Sequence, residues 1–291
     1  MVNAGRPMPD SAFPLTRVTT VAALCATVAA LRQDGAKIAF VPTMGALHEG
    51  HLALVRHART RADKVVVSIF VNPLQFAPSE DLDRYPRNEA GDIALLQSTG
   101  CDLVYLPTVD VLYPQGFVSR IEMTGPAMGL ETDVRPQFFS GVATVVMKLF
   151  NQVRPDLAVF GEKDFQQLAV IRAMVRDFDL GLEVVPYPTM READGLAMSS
   201  RNAYLSREER AIAPRLHAEL EEIRSAVLSG ADAEAVIAGA KDALTTAGFG
   251  HIDYVALRDA ETLGEIRAGL PRRLLAAVWL GKTRLIDNIA V

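Results

Sequence analysis

Two histidines three residues apart carry the strongest chemical signal in the sequence. His48 and His51 follow an apolar run at residues 38–41 and precede apolar residues at helical spacing in 52–55. We therefore expect both side chains at the N-terminus of a helix, where unpaired N–H groups and the helix dipole favour an anion. The i, i+3 spacing places both imidazoles on one face, from which they can donate hydrogen bonds to a polyphosphate. The pair indicates chemistry on a nucleotide phosphate.

Two simpler interpretations of the pair stay open at this point. An H-x-x-H pair can be half of a zinc site, although such a site needs further ligands, and Glu49 does not stand where the H-E-x-x-H pattern places its base. The two residues can also be ordinary surface or capping histidines. Other segments of the chain are needed to decide between these interpretations.

The composition indicates a globular protein and argues against a protein that binds polyanions. The chain has 291 residues, 49% of them hydrophobic, which is enough for a sizeable core and for two domains. Its formal net charge of −5 argues against nucleic acid as a partner. Two cysteines, Cys25 and Cys101, are too few for a disulfide framework, and they fit a reducing cytoplasm. The apolar stretch at 21–30 favours a first helix over a signal peptide, and no run reaches the roughly 18 residues of a membrane span.

Strands and helices that must position these side chains alternate along the first part of the chain. After a mobile tail at residues 1–14, strands are predicted at 37–41, 65–71, 103–106 and 157–160. Helices are predicted at 52–61, 89–99, 142–153 and 166–178. This order predicts an α/β fold with a Rossmann-like domain at residues 15–186, in which a parallel sheet is covered on both faces. Ligands of such sheets bind outside the carboxyl ends of the strands.

A smaller α+β domain is predicted at residues 187–291. Two helical segments, at 207–229 and 232–246, come first. The strand-like runs at 252–257, 274–279 and 283–289 that follow them predict a small antiparallel sheet.

Further segments carry side chains suited to phosphate or carboxylate ligands. Lys163 follows Gly161 at the end of a predicted strand, where an ammonium can meet a phosphate oxygen. Taken singly, such residues have ordinary interpretations as a surface charge, a polar loop or a surface amide. Together they favour one ligand site. The side chains concerned are those of Gln75, Lys163, Gln167, Ser199, Ser200 and Arg201.

Five strings in a fixed order carry a resemblance to a known family. They are Pro42-Thr-Met-Gly-Ala-Leu-His-Glu-Gly-His51, Ser68-Ile-Phe-Val-Asn-Pro-Leu-Gln75-Phe, Asp83-Arg-Tyr-Pro-Arg87, Gly161-Glu-Lys-Asp-Phe-Gln-Gln167 and Arg191-Glu-Ala-Asp-Gly-Leu-Ala-Met-Ser-Ser-Arg201-Asn. Together they resemble the pantothenate synthetase family, from about Arg17 to the C-terminus. Residues 48–51 also match the His-x-Gly-His signature of the wider nucleotidyltransferase superfamily, and residues 198–201 are similar to its second signature. Any one string can occur elsewhere, whereas all five at these intervals are highly specific.

The resemblance implies a complete reaction. ATP-dependent condensation of (R)-pantoate with β-alanine would give pantothenate, AMP and pyrophosphate through an enzyme-bound pantoyl adenylate. Mg²⁺ on the phosphates is implied as cofactor, and its protein ligands are left open. A homodimer is the expected assembly, without a nucleic acid or membrane partner.

The resemblance also implies roles for single residues. The candidate catalytic residues are His48, His51, Lys163, Ser199, Ser200 and Arg201. The candidate ATP-binding residues are Met44, Gly45, Ala46, Leu47, His48, Glu49, Gly50, His51, Gly161, Glu162, Lys163, Asp164, Met190, Met198, Ser199, Ser200 and Arg201. The candidate residues for pantoate and β-alanine are Pro42, Thr43, Met44, Gln75 and Gln167. Two positions depart from the family pattern, because Phe138 stands where a histidine is usual and Phe165 where a tyrosine is usual.

Three other functions are weighed against this one. The main alternative is a nucleotidyltransferase that acts on another small acid or on a phosphate acceptor. Gln75 and Gln167 argue against a phosphate acceptor, which would call for basic side chains. A tRNA-charging enzyme should show a basic face, which an acidic chain does not favour. A non-catalytic nucleotide-binding module would tolerate loss of His51 and Lys163, and both are present.

Overall fold

The computed structural model describes residues 14–77, 80 and 82–291, so the tail predicted at 1–14 lies outside the described residues apart from Pro14. The strands are β1 (Thr16–Val18), β2 (Ile38–Thr43), β3 (Lys64–Ile69), β4 (Leu103–Tyr105), β5 (Leu157–Gly161), β6 (Glu183–Tyr187), β7 (Ile252–Asp259), β8 (Arg272–Leu280) and β9 (Thr283–Ala290). The α-helices are α1 (Val21–Leu31), α2 (Glu49–Arg61), α3 (Glu89–Gln97), α4 (Val109–Leu112), α5 (Glu131–Val134), α6 (Phe138–Val153), α7 (Phe165–Asp177), α8 (Arg207–Ile212), α9 (Arg215–Leu228) and α10 (Ala233–Ala247).

The first of two compact units contains a parallel sheet. It comprises the described residues up to Met123 together with Gln137–Gly161 and Ile171–Tyr187. Its six strands lie in the order β1-β4-β3-β2-β5-β6, and every neighbouring pair is parallel. The predicted parallel α/β sheet is confirmed.

Both faces of this sheet are buried, as nearly continuous apolar strands require. Ala39 and Val41 of β2 pack with Leu52 of α2 in one apolar cluster. Phe40 points to the opposite face and lies edge-on to Phe150 of α6, with ring centroids 6.4 Å apart. Packing therefore fixes β2 and α2, and the loop that joins them is held at both ends.

The order of the strands reverses next to β2. β3 follows β2 in the chain and lies on one side of it, whereas β5 lies on the other side. Because the strands are parallel, Thr43 at the end of β2 and Gly161 at the end of β5 lie at the same edge of the sheet. Ligands of open α/β sheets bind at such an edge.

The two edge strands are absent from the sequence-based prediction. β1 has only three residues, and Thr16 and Arg17 are exposed, so it lacks an apolar run. β6 contains Pro186, whose missing N–H is tolerated at the edge of a sheet. The helix α6 also begins earlier than predicted, at Phe138 instead of residue 142.

The second unit contains the antiparallel sheet. It comprises Thr124–Pro136, Glu162–Val170 and Pro188–Val291. Strands β7, β8 and β9 lie in that order and are antiparallel, which confirms the predicted small sheet. Leu220 of α9 and Leu244 of α10 pack with Val278 of β8 in its core. The domain division at residues 15–186 and 187–291 stays a prediction.

One predicted helix of this part is divided. The segment at 207–229 forms α8 and α9, which meet at Pro214. Proline has no N–H to donate into a continuing helix, so one helix ends and another begins there. In the part of the chain that the structure describes, none of the helices is both long enough and apolar enough to span a bilayer.

Candidate functional site

The loop between β2 and α2 has an unusual backbone. Thr43 donates through Oγ1 to the carbonyl oxygen of Ser68 at 2.8 Å and accepts from the N–H of Gly45 at 3.3 Å. Gly45 and Ala46 have φ values of 82° and 50°, in the left-handed region that favours glycine. A Cβ on Gly45 would lie 3.0 Å from Asp92 Oδ2. Both conformation and packing therefore favour glycine at position 45.

Asp92 of α3 holds this loop. Its carboxylate accepts hydrogen bonds from the N–H groups of Ala46 at 2.9 Å and Leu47 at 2.8 Å. Asp92 is 3% exposed. Burial raises the pKa of its carboxyl, and the two N–H donors oppose that rise. The carboxylate thus binds the backbone immediately before His48 and satisfies two buried N–H groups.

His48 and His51 cap the N-terminus of α2 reciprocally. His48 Nδ1 accepts from the N–H of Gly50 at 3.2 Å, and His51 Nδ1 accepts from the N–H of His48 at 3.3 Å. The ring centroids are 4.1 Å apart and the rings are tilted by 45°. Because each Nδ1 accepts a hydrogen bond, we infer that each neutral ring carries its proton on Nε2. The rings therefore cap the helix at the end that favours anions, and in this tautomer each Nε2 is a donor atom.

The neighbours of the two histidines differ in exposure. Leu47 belongs to the apolar core of the first unit, and its N–H is bound by Asp92. Glu49 is exposed and pairs with Arg56 of the same helix. His48, Gly50 and His51 are half-buried. A ligand at this helix end would therefore meet the imidazoles and backbone rather than the side chain of Leu47.

Gln75 lies in a polar network after β3. It is 9% exposed and ends the 3₁₀ turn Pro73–Gln75. Its Nε2 donates to Met44 Sδ at 2.8 Å, and its Oε1 accepts from Asn72 Nδ2 at 3.1 Å. Asn72 Oδ1 in turn accepts from Tyr113 at 2.8 Å. The network fixes the orientation of the Gln75 amide and brings it together with Met44.

Apolar side chains and a close helix contact surround this network. Phe70 is 6% exposed, and its ring centroid lies 6.1 Å from that of Tyr113. A Cβ on Gly141 of α6 would lie 2.1 Å from the carbonyl oxygen of Leu74. Only glycine therefore allows α6 to approach the turn that carries Gln75.

Gly161 and Lys163 mark the end of β5 and the turn after it. A Cβ added to Gly161 would meet nothing within 4 Å, so packing does not require glycine there. Lys163 lies in the short turn Glu162–Asp164, with its side chain 20% exposed and its Nζ 3.7 Å from Asp164 Oδ2. Asn288 Nδ2 donates to the carbonyl oxygens of Glu162 at 2.9 Å and Lys163 at 2.8 Å. The backbone at Lys163 is therefore held in place by a side chain of β9.

The two glutamines that follow this turn have different environments. Gln166 is 4% exposed, donates to the carbonyl oxygens of Pro126 and Gly129 at 3.1 Å each, and accepts from the N–H of Glu131 at 3.2 Å. Gln167, the predicted pantoate ligand, is half-buried. The Gln166 side chain is therefore used for hydrogen bonds within the fold, and the ligand role of Gln167 stays a prediction.

Residues 190–201 form a short hairpin followed by a turn. Arg191 and Ala197 form an isolated antiparallel bridge, and the N–H of Met198 donates to the carbonyl oxygen of Met190 at 2.9 Å. Ser199 caps the 3₁₀ turn Ser200–Tyr204, because its Oγ accepts from the N–H of Arg201 at 3.3 Å. The hairpin brings Met190 and Met198 together, and the side chains of Met190, Met198, Ser199, Ser200 and Arg201 are all half-buried.

The predicted site residues fall into two sets, one in each unit. The set of the first unit is Pro42, Thr43, Met44, Gly45, Ala46, Leu47, His48, Glu49, Gly50, His51, Gln75 and Gly161. The set of the second unit is Glu162, Lys163, Asp164, Gln167, Met190, Met198, Ser199, Ser200 and Arg201. Sequence reasoning missed the residues that anchor them, namely Asp92, Asn72, Gln166 and Asn288. Of these, Asn72 and Gln166 lie inside the strings 68–76 and 161–167, whereas Asp92 and Asn288 lie outside all five strings.

The two phenylalanines at departing positions have different surroundings. Phe138 begins α6, and its ring lies edge-on to that of Phe139 with centroids 4.9 Å apart. Phe165 is 8% exposed, and the Arg273 guanidinium lies 4.1 Å from its ring centroid. Within the described residues, no group of three or more His, Cys, Asp or Glu side chains is arranged to hold a metal ion.

A family model described as pantoate-beta-alanine ligase matches residues 16–290. The chain is 56% identical to a pantothenate synthetase of Mesorhizobium japonicum, over 94% of this chain and 97% of the relative. It is also 56% identical to a pantothenate synthetase of Rhodopseudomonas palustris, again over 94% of this chain and 97% of the relative.

Solved structures are similar over the same length. The pantothenate synthetase of Thermus thermophilus superposes with a TM-score of 0.87 at 47% identity, covering 94% of this chain and 98% of that one. The pantoate-beta-alanine ligase of Francisella tularensis, complexed with beta-gamma ATP and beta-alanine, superposes with a TM-score of 0.79 at 33% identity, covering 94% and 97%. These similarities confirm the resemblance carried by the five strings.

Proposed function

The chain belongs to the pantoate-beta-alanine ligase family, and from that premise we propose how its residues carry out the reaction. The enzyme condenses pantoate with β-alanine at the expense of ATP and forms pantothenate, AMP and pyrophosphate. The alternative, nucleotidyl transfer to another acceptor, is not favoured by relatives that match nearly the whole chain.

The obstacle in the first step is the repulsion between two anions. The pantoate carboxylate is ionised at neutral pH and needs no base, but it must approach the α-phosphorus of a polyanionic nucleotide. The observation that carries the proposal is the reciprocal cap of His48 and His51, which places two Nε2–H donors at a helix N-terminus. In our proposal these donors stabilise the charge that develops on the α-phosphate and the departing pyrophosphate.

Two cationic side chains are also proposed to contact the triphosphate. Lys163 and Arg201 would neutralise phosphate charge, and the hydroxyls of Ser199 and Ser200 would donate hydrogen bonds. The support is that their backbone segments are held in place, by Asn288 for Lys163 and by the Ser199 cap for Arg201. Met190 and Met198 are proposed to contact the adenine.

Amides are proposed to bind pantoate. Gln75 and Gln167 can donate to its carboxylate and hydroxyl groups without neutralising the nucleophile, whereas a lysine would weaken its attack. The fixed Gln75 amide and its contact with Met44 support this assignment. Pro42, Met44 and Phe70 would form the adjoining apolar wall against the methyl groups of pantoate, with Thr43 between the first two.

In the second step the amine of β-alanine attacks the mixed anhydride after losing a proton. The C–N bond forms, the bond from the carbonyl carbon to the AMP oxygen breaks, and AMP leaves with that electron pair. Water competes with the amine, so we assign to residues 198–201 the additional task of excluding water from the adenylate.

Mg²⁺ is proposed to enter with the nucleotide. When bound to the phosphate oxygens it supplies positive charge that lowers the repulsion felt by the pantoate carboxylate. Phosphate oxygens are ligands that Mg²⁺ prefers, and we assign no protein ligand.

A cytoplasmic homodimer is proposed as the working form. Both cysteines are unpaired, as expected in a reducing compartment that also supplies ATP. The resemblance to the family supports the dimer, and the mass measured by light scattering during gel filtration tests it.

ATP–pyrophosphate exchange tests the proposed function. We expect exchange with pantoate alone and faster AMP release when β-alanine is added. Exchange that does not depend on pantoate would contradict the substrate assignment.

Two variants test the residue roles in the same assay. His51→Gln keeps an acceptor for the N–H of His48, because glutamine is favoured at this capping position, but it removes the imidazole. We expect exchange to fall about a hundredfold in His51→Gln and in Lys163→Ala. The control is His251→Ala, whose side chain is 73% exposed and which should exchange at the wild-type rate. Wild-type exchange in both site variants would refute these roles.

A further inference from the structure

The Asn288 side chain holds the turn of Lys163 by an arrangement that no motif indicates. Both carbonyl oxygens that it binds, those of Glu162 and Lys163, accept from the same Nδ2, at 2.9 and 2.8 Å. An amide nitrogen has two hydrogens, so these two bonds use its full donor capacity. Asn288 is 3% exposed. Its amide is therefore buried and committed to two successive peptide groups.

Arg273 determines which way this amide faces. Its Nε donates to Asn288 Oδ1 at 2.6 Å, and its Nη2 donates to Glu162 Oε2 at 3.1 Å. The guanidinium also lies over the ring of Phe165, 4.1 Å from the centroid. A flipped Asn288 amide would set its oxygen against two carbonyl oxygens and its NH₂ against the guanidinium. The donor side of Asn288 is therefore fixed toward the turn.

The same strand also anchors the segment that leads to Arg201. Asp287 accepts two hydrogen bonds from the Arg191 guanidinium, at 2.7 and 2.9 Å. Strand β9 contacts both the turn Glu162–Asp164 and the 3₁₀ turn Ser200–Tyr204. Because side chains alternate along a strand, Asp287 and Asn288 serve opposite faces of β9. One strand thus carries the attachments of two segments that hold candidate phosphate ligands.

We propose that Asn288 is a positioning residue for adenylation, whose amide fixes the Glu162–Asp164 backbone so that the Lys163 ammonium meets the triphosphate in one geometry. This inference rests on the proposed role of Lys163. Lysine has a long, flexible side chain, so the place of its charge depends on a fixed backbone. A displacement of about 1 Å in a catalytic group can reduce a rate about a hundredfold.

The substitution Asn288→Asp separates positioning from folding. It keeps the size of the side chain and leaves Arg273 a carboxylate partner, which favours a folded protein. It removes both donors to the turn and sets an oxygen against the two carbonyls. We expect kcat for ATP–pyrophosphate exchange to fall about 10- to 100-fold, with KM for pantoate within about twofold of wild type.

A double-mutant cycle with Lys163→Ala shows whether Asn288 acts through the lysine. If it does, adding Asn288→Asp to Lys163→Ala lowers the rate by less than about twofold further. If the rate loss in the double variant equals the product of the losses in the two single variants, the inference is wrong. If Lys163→Ala alone exchanges at the wild-type rate, the proposed role of Lys163 fails as well. If Lys163→Ala is impaired and Asn288→Asp is not, only the inference fails.

Asp259→Asn is the matched control for a merely structural effect. Asp259 is 1% exposed in β7 of the same sheet, and it accepts from the N–H groups of Glu261 and Thr262 and from Arg267. This turn carries none of the candidate ligands. We expect Asp259→Asn to lower the melting temperature while kcat stays within about twofold of wild type. An equal fall of kcat in Asp259→Asn and Asn288→Asp at matched melting temperatures would overturn the inference.

Discussion

The histidine loop of the first unit and the lysine turn of the second are held by opposite chemical groups. In the histidine loop, the Asp92 carboxylate accepts from two successive N–H groups, those of Ala46 and Leu47. In the lysine turn, the Asn288 amide donates to two successive carbonyl oxygens. Both anchors are 3% exposed. In each case the buried side chain supplies the hydrogen-bonding partner that the neighbouring backbone needs, an acceptor for N–H groups or a donor for carbonyl oxygens.

The difference follows from the local backbone. Gly45 and Ala46 are left-handed and precede a helix N-terminus, so their segment presents N–H groups, which call for an acceptor. The turn Glu162–Asp164 presents carbonyl oxygens, which call for a donor. Exchange of carboxylate and amide at either anchor should therefore break the attachment while barely changing the volume of the side chain.

The largest effect is expected from Asp92→Asn. The carboxamide has one acceptor oxygen, and its NH₂ would face a backbone N–H, so one buried N–H loses its partner. We expect the free energy of unfolding to fall by about 2 kcal/mol and pyrophosphate exchange to fall about a hundredfold. Urea denaturation and single-turnover adenylation measure the two effects. Glu89→Gln, at an exposed position in the first turn of the same helix, is the control that should keep the wild-type rate.

Replacing two glycines of left-handed backbone by alanine, one in each unit, compares how rigidly their two segments are held. At Gly45 (φ 82°) the new Cβ would lie 3.0 Å from the buried Asp92 Oδ2, whereas at Gly195 (φ 93°) it would lie 2.9 Å from the ring of His217. The imidazole can rotate away more easily than an anchored carboxylate. We expect Gly45→Ala to lower the free energy of unfolding by about 2 kcal/mol and Gly195→Ala by about 1 kcal/mol. Equal losses in thermal denaturation would contradict the stiffer loop.

Acid should weaken both units through one half-buried histidine in each. Burial lowers the pKa of His57, and Arg61 lowers it further; burial also lowers the pKa of His217, where Arg191 adds to the shift and Asp287 opposes it. Below about pH 6.5 the unfolded chain therefore binds protons that the folded chain does not, and the free energy of unfolding falls.

The substitutions His57→Gln and His217→Gln test this dependence separately. Each should reduce the loss of stability between pH 7.5 and pH 5.5, measured by urea denaturation at both values. An unchanged loss in both variants would show that other groups govern the acid response. A change in only one variant would assign the acid response to one unit.

The smallest effect is expected from Ala46→Gly. Alanine at φ 50° carries backbone strain, but glycine gains freedom in the unfolded chain, so the net change in unfolding free energy should be within about 0.5 kcal/mol. The informative measurement is the double variant with Asp92→Asn. If the carboxylate holds a strained loop, Asp92→Asn should destabilise the glycine variant by about 1 kcal/mol less than it destabilises the wild type. Equal destabilisation would indicate that the loop keeps its shape without Asp92.

The central strands could be predicted from the sequence, and candidate site residues could be proposed from it, because both depend on short segments. Residues 38–41 form an apolar run, and the strings around His51 and Lys163 are contiguous. The edge strands β1 and β6 need less apolar character and left no such run. The anchors were missed for a different reason. Asp92 lies 46 residues from Ala46, and Asn288 lies 125 residues from Lys163, so neither contact leaves a local pattern.

These separations along the chain also set the order in which the two attachments can form during synthesis. At about 5 to 20 residues per second, Asn288 is made roughly 6 to 25 seconds after Lys163, because 125 residues separate them. Asp92 follows Ala46 by only 46 residues, an interval of roughly 2 to 9 seconds. The hydrogen bonds that hold the histidine loop can therefore form early in synthesis. Those that hold the turn of Lys163 can form only after β9 has been made. An incomplete chain without β9 therefore cannot fix the Lys163 ammonium, and we do not expect it to consume ATP.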